Sequence, residues 1–512
     1  VKLSRTTVVL TTFAVLLSGC GVASRAQDAD RGGSTTGGPR PSSGPVGPIP
    51  AGLEQFYQQK PDWERCGSGQ QCATITVPLD YQKPAGKTIE LQARKVLAKD
   101  RGGRIGTLFI NPGGPGGSGV DFAESAGFAL GASLLRKFDV IGWDPRGVGK
   151  STPVKCLSTE QMDKFIATDG SPDDEAEITQ LNDQAKILAN GCQQGSGELL
   201  PHVGTKDAAR DIDVLRGIVG DAQLNFLGFS YGTYLGATYA ELFPKNVGRL
   251  VLDGAVDPAK TSEENNLAQA KGFDTALEAF AEDCAQRECR LGRSKADVLA
   301  QVDKLLADTD AQPLPGDDER QVTQAVAVLG VIYPLYVKES WPRLEDAVVD
   351  GLNGKGARLL ALVDEYTDRS SSGYANNSGE VIYAVNCVDR PDITSLAEAK
   401  SEAVEFAKES PRFGPYLLWG SLPCMNWPVK AEDKPHPIKA AGAKPIVVVG
   451  TTRDPATPYA WSVGLAEQLE SGVLISRDGD GHTGYKAGNS CVDQAVETYL
   501  LQGVAPAADI KC

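Results

Sequence analysis

Histidine and methionine are scarce, three and two in 512 residues, and no row holds a cluster of lysine and arginine. Three widely spaced histidines leave no metal centre to build, and the eleven cysteines form no CxxC or paired-knuckle spacing. No metal or organic cofactor is expected. A formal charge of −15 without a basic patch argues against a nucleic-acid partner, because such a surface repels a phosphate backbone. Beyond the N-terminus no segment approaches about eighteen uninterrupted apolar residues, so no membrane span is expected there. With 41% hydrophobic and 23% charged positions the chain is neither wholly disordered nor collagen-like.

What is present points to export. Eleven cysteines suit an oxidising compartment. Val1 is read as an initiator decoded from a non-AUG start; Lys2 and Arg5 precede the apolar run Val8–Leu17, a signal-peptide core too short to span a membrane. The run ends in Leu17-Ser18-Gly19-Cys20, which resembles the bacterial lipobox and makes Cys20 the expected lipid-bearing residue of a membrane anchor. Ordinary secretion after cleavage nearby is the alternative. Residues 21–54 are rich in Gly, Ser, Thr and Pro and are read as a flexible tether, following the signal peptide of 1–20.

Further on, short apolar runs bounded by Gly, Pro or Asp alternate with helical patterns. The candidate strands are 73–78, 88–93, 106–111, 138–143, 224–228, 249–253, 445–450 and 472–476. The later ones are apolar at nearly every position, as parallel strands covered on both faces are, and the first two alternate like edge strands. Between Asp253 and Pro445 helical spacing replaces the strand pattern. The expected architecture is α/β with a mostly parallel sheet, its core in residues 55–257 and 426–512, interrupted by a helical insertion at 258–425.

Gly228-Phe-Ser230-Tyr-Gly232 follows one of these strands and opens a helical stretch, the setting of a nucleophile elbow that presents a serine hydroxyl at the carboxyl end of a sheet. Of the histidines, His436 lies in a Pro-flanked connection and His202 precedes a helix, whereas His482 lies in the glycine-rich stretch Asp478-Gly-Asp-Gly-His-Thr-Gly, C-terminal to the serine as Ser…Asp…His order requires. Asp454, after strand 445–450, is the expected acid that orients the imidazole. Asp478 and Asp480 are read as shaping the base's own turn, and Thr457 is either a support of Asp454 or a plain loop hydroxyl. Oxyanion donors are expected at the N–H of Tyr231 and, from Asn111-Pro-Gly-Gly-Pro-Gly-Gly-Ser118, at Gly114 with Gly113 in reserve. A phosphate cradle is the lesser reading of that loop, which lacks both GxGxxG and a P-loop lysine.

The set Gly-Gly-Pro-Gly-Gly, Trp143-Asp-Pro-Arg-Gly-Val-Gly-Lys-Ser151, Gly-Phe-Ser230-Tyr-Gly, Asp454-Pro-Ala-Thr-Pro and Gly-His482-Thr resembles the α/β-hydrolase serine aminopeptidases. Proline iminopeptidases are relatives, and the likeness is greatest to secreted or lipid-anchored tripeptidyl aminopeptidases of actinobacteria, from about Leu53 to Cys512. Pro112 stands where proline iminopeptidases carry histidine before the glycines, so their substrate preference is not carried over. The resemblance implies an α/β-hydrolase fold, Ser230, Asp454 and His482 as the triad, and the helical insertion as a cap over it.

The expected activity is an exopeptidase releasing short peptides from free N-termini, with peptides as partners. A carboxylesterase or lipase on the same triad and a non-catalytic peptide-binding lipoprotein are the rivals. An exopeptidase needs a carboxylate for the substrate ammonium; the candidates are Glu263, Glu264 and Asp389, the last in a loop that a disulfide at Cys387 would hold rigid. Without Cys20 ten cysteines remain, and sequence neighbours suggest Cys66–Cys72, Cys156–Cys192, Cys284–Cys289, Cys387–Cys424 and Cys491–Cys512.

Overall fold

A computed structural model describes residues 47–431, 433–507 and 509–512. The signal peptide, Cys20 and the tether up to residue 46 lie outside the described residues. Ten strands form one sheet: β1 (Glu64–Gly67), β2 (Gln70–Pro78), β3 (Thr88–Val96), β4 (Gly106–Asn111), β5 (Phe138–Trp143), β6 (Leu224–Phe229), β7 (Val247–Asp253), β8 (Ile446–Arg453), β9 (Gly472–Asp480) and β10 (Ile510–Lys511). Their order is β1-β2-β3-β5-β4-β6-β7-β8-β9-β10. The pairs from β1 to β5 are antiparallel, and all pairs from β5 to β10 are parallel. β4 and β5 are buried at every position because helices cover both faces.

The chain departs from the expected boundaries in several places. Folded structure starts before residue 55: Ile49 packs on the core and Leu53 is buried in it. Neither β2 nor β3 is an edge strand, since β2 lies between β1 and β3 and β3 between β2 and β5; their alternation records one solvent-facing side, not a missing neighbour. β9 runs on to Asp480 beside a lengthened β8, where Arg453 pairs with Asp480, so the glycine-rich stretch before His482 begins as strand.

Between β7 and β8 the chain runs through helices and two short ribbons. This segment has its own apolar cluster, in which Phe280, Val302, Leu335 and Trp341 are nearly or wholly buried. The helix Glu175–Ser196, from the stretch before β6, packs on the insertion through a separate small cluster of Ile178, Ala185, Trp419 and Leu422. Part of residues 55–257 thus packs with the insertion and not with the sheet alone.

Five disulfides join Cys66–Cys72, Cys156–Cys192, Cys284–Cys289, Cys387–Cys424 and Cys491–Cys512. No helix among the described residues is long and apolar enough to cross a membrane.

Candidate active site

The turn from β6 into the helix Tyr231–Leu242 puts Ser230 at φ 54°, ψ −127°, a strained backbone for a residue with a side chain. Local crowding explains the flanking glycines. A Cβ on Gly228 would lie 2.4 Å from the Gly232 carbonyl oxygen, and one on Gly232 would lie 2.7 Å from Oδ1 of Asn111. The Ser230 N–H donates to the carbonyl of Asp253 at 2.9 Å, tying the elbow to the end of β7.

Asp454 follows β8 and is buried. Its oxygens accept from the N–H groups of Ala456, Thr457 and Thr483 at 2.8–3.0 Å and from the Thr457 hydroxyl at 3.1 Å. Nδ1 of His482 lies 2.9 Å from both carboxylate oxygens. That contact fixes the tautomer with the proton on Nδ1 and leaves Nε2 as the acceptor. Nε2 is buried and has no hydrogen-bond partner among the described residues. Burial disfavours the imidazolium, but the charge and hydrogen bond of Asp454 outweigh it and hold His482 above its ordinary value. Such an imidazole can take a hydroxyl proton.

Two N–H groups near Ser230, those of Tyr231 and Gly114, have no acceptor among the described residues. Gly113 does not serve as the reserve donor: its N–H is already given to Oδ1 of Asn111 at 3.0 Å. It stays close for another reason, since a Cβ there would meet the Phe229 carbonyl oxygen at 2.5 Å and Cβ of Ser230 at 2.9 Å.

The candidates for binding an ammonium fare differently. Glu264 closes the capping box of the helix Ser262–Gln286 with Thr261 and pairs with Lys260, so its oxygens are committed. Asp389 belongs to the helix Ser378–Asp389, not to a loop, and its oxygens accept the N–H and hydroxyl of Thr205. The same Thr205 hydroxyl bonds the phenol of Tyr231, which buries Asp389 behind that residue, and burial raises it to about 6. Glu263 is exposed on the first turn of its helix. Geometry therefore gives Glu264 and Asp389 structural tasks in place of the expected one.

His202 and His436 lie elsewhere, the latter bonded to Glu241. Asp478 and Asp480 pair with Arg453, and Asp480 also with Lys338. Sequence reasoning missed two contributors to the base's surroundings. Tyr336, in the insertion, accepts the His482 N–H on its carbonyl and sets its ring edge-on to the imidazole, centroids 5.4 Å apart. Asp253 accepts the N–H groups of Gly484 and Tyr485. An acid closing an apolar strand was a visible signal for the second; nothing local marks the first. The one group of His, Cys, Asp and Glu atoms within metal-ligand reach among the described residues joins Glu345 to Cys284 and Cys289, whose sulfurs form a disulfide and are not thiolate ligands.

Residues 106–313 match the family model described as alpha/beta hydrolase fold, and residues 410–512 match that of TAP-like protein. The chain is similar to the protein named serine protease Hip1 of Mycobacterium tuberculosis, 36% identical over 480 residues, covering 89% of this chain and 91% of that one. It is likewise similar to carboxylesterase B of the same species, 36% identical with 86% of each chain covered. The tripeptidyl aminopeptidase of Streptomyces lividans is 34% identical, with 88% of this chain and 86% of that one covered. On these similarities and its fold, the chain is a serine hydrolase belonging to the α/β-hydrolase aminopeptidase family.

Proposed function

We propose that the protein is an exported serine exopeptidase that releases short peptides, most simply tripeptides, from free N-termini. Ser230 is the nucleophile, His482 the general base and Asp454 the orienting acid. The observation that carries this is His482 itself, clamped through Nδ1 by Asp454 while Nε2 stays buried without a partner.

In the first half-reaction Nε2 takes the Ser230 proton as Oγ bonds to the scissile carbonyl carbon. Negative charge moves to the carbonyl oxygen, where the N–H groups of Tyr231 and Gly114 stabilise it. The imidazolium then gives its proton to the leaving amine, the C–N bond breaks and an acyl-enzyme remains. Water, deprotonated by the same nitrogen, releases the short peptide acid and restores Ser230. The inserted helical segment caps the site; support comes from Tyr336 on the base's backbone and from Gly116, where an added Cβ would lie 3.1 Å from Ser378.

Five disulfides support an oxidising, extracytoplasmic location. Anchoring through Cys20 remains part of this proposal. Mass spectrometry of peptide digests tests specificity: a free-amine peptide should shorten from its N-terminus in steps of fixed length, and its N-acetylated twin should survive. Equal cleavage of both overturns the exopeptidase reading. The second reading, a carboxylesterase on the same residues, is favoured by the relative that bears that name. It prevails if esters turn over and peptide amides do not. A Ser230→Ala variant that binds peptides as the unmodified protein does, with neither form turning them over, would instead favour the peptide-binding lipoprotein.

A further inference from the structure

Asp253 ends β7, is wholly buried, and takes no part in the steps above. Burying a carboxylate is costly unless its oxygens are paired, and here both are: Oδ1 accepts the Gly484 N–H at 2.8 Å and Oδ2 the Tyr485 N–H at 2.7 Å. The backbone of the same residue accepts the Ser230 N–H at 2.9 Å. Four successive N–H groups of the base loop are thereby assigned: His482 to Tyr336, Thr483 to Asp454, Gly484 and Tyr485 to Asp253. Of these three acceptors, Asp253 alone also holds the nucleophile.

The chemistry calls for a carboxylate. Asparagine offers one acceptor oxygen, and its amide would turn N–H toward N–H at the other position. The neighbours in register, Phe229 on β6 and Val449 on β8, are uncharged. The titratable groups that face Asp253 are His482 on the base loop and Asp454 after β8. A negative charge there also favours the imidazolium that forms when Ser230 loses its proton.

We propose that Asp253 is a positioning residue that sets Ser230 and His482 at their working separation, its carbonyl on the Ser230 N–H and its carboxylate on the loop that carries the base. This rests on the reading of Ser230 and His482 as nucleophile and base. A misplacement of about 1 Å costs such a pair roughly 100-fold in rate.

The test uses the full chain with Asp253→Asn and Asp253→Glu, followed by steady-state kinetics at pH 8 on a chromogenic ester and a peptide amide and by the rate at which a fluorophosphonate labels Ser230. Asp253→Asn should lower kcat roughly 30- to 100-fold with KM within about twofold and slow labelling in proportion. Asp253→Glu keeps the charge but shifts the loop, so kcat should fall with KM again within about twofold. Wild-type kcat and an undiminished labelling rate in Asp253→Asn overturn the proposal. Hydrogen exchange on the unmodified protein needs no variant to fold: the amides of Ser230, Gly484 and Tyr485 should be protected and open at one common rate. Fast exchange at Gly484 and Tyr485 beside a protected Ser230 also overturns it. Undiminished turnover by Ser230→Ala would remove the underlying reading instead, an outcome separate from both.

Discussion

The carbonyl of Tyr336 accepts the N–H of His482 at 2.8 Å, so the inserted helical segment is hydrogen-bonded to the residue read as the base. The bond comes with an edge-on ring contact and, two residues on, an ion pair from Lys338 to Asp480 at 2.7 Å. Insertion and base loop are thus tied together by a hydrogen bond, a ring contact and an ion pair.

Removing the ring should therefore be felt at the base. Tyr336→Ala is expected to lower kcat about tenfold, because the imidazole loses the surface that limits its rotation. Lys338→Ala should change kcat by less than about twofold, since its ammonium is half exposed and such pairs are worth little. Steady-state kinetics on one ester substrate checks both; equal effects would contradict the assignment.

Thr457 donates to Asp454 at 3.1 Å and lies 3.3 Å from Nδ1 of His482. Thr457→Val keeps the shape and removes the hydroxyl. The expected loss is about three- to tenfold in kcat with KM unchanged, the pattern of an interaction that acts on the transition state. A rise in KM at constant kcat would place Thr457 in substrate binding instead.

The pH dependence has a definite sign. His482 must be neutral to accept a proton, and Asp454 holds it above its ordinary value of 6.5, so kcat/KM should fall on the acid side with an apparent pKa above 6.5. Stability adds a second signal. Burial raises Asp253 from 3.8 to about 7, so the folded state holds a proton there that the unfolded chain has released; this stabilisation is full below about pH 3.8 and is lost as pH rises through about 7. Urea midpoints at pH 5 and pH 8 check it, and the fall between them should be smaller in Asp253→Asn.

Much of this arrangement was legible in the sequence, and for physical reasons. Strand, elbow and helix around Ser230 are contiguous, and a five-residue glycine pattern carries the steric demand of the turn. With three histidines the base could be sought by elimination, and the acid by chain order. Tyr336 was invisible because its contribution is a backbone carbonyl supplied from 146 residues away in the chain, which no side-chain pattern announces. Glu264 was misleading for the opposite reason. Glu264 sits three residues after Thr261, the spacing of a capping box, and that local pattern competes with any catalytic reading of an acid near a helix start.

The disulfide Cys387–Cys424 ties the helix Ser378–Asp389 to the helix Leu422–Met425 across 37 residues. Closing a loop of that length is worth about 3–4 kcal/mol by chain entropy. The double variant Cys387→Ala/Cys424→Ala should lose stability of that order in denaturant unfolding; a loss below about 1 kcal/mol would show that packing alone holds the two helices.

The most direct test of the central claim is covalent labelling of the active serine. Treated with a fluorophosphonate, the protein should gain one adduct, located by peptide mapping at Ser230, and lose peptide and ester turnover in step with labelling. Full labelling at another residue, or turnover that persists after Ser230 is modified, would contradict the account.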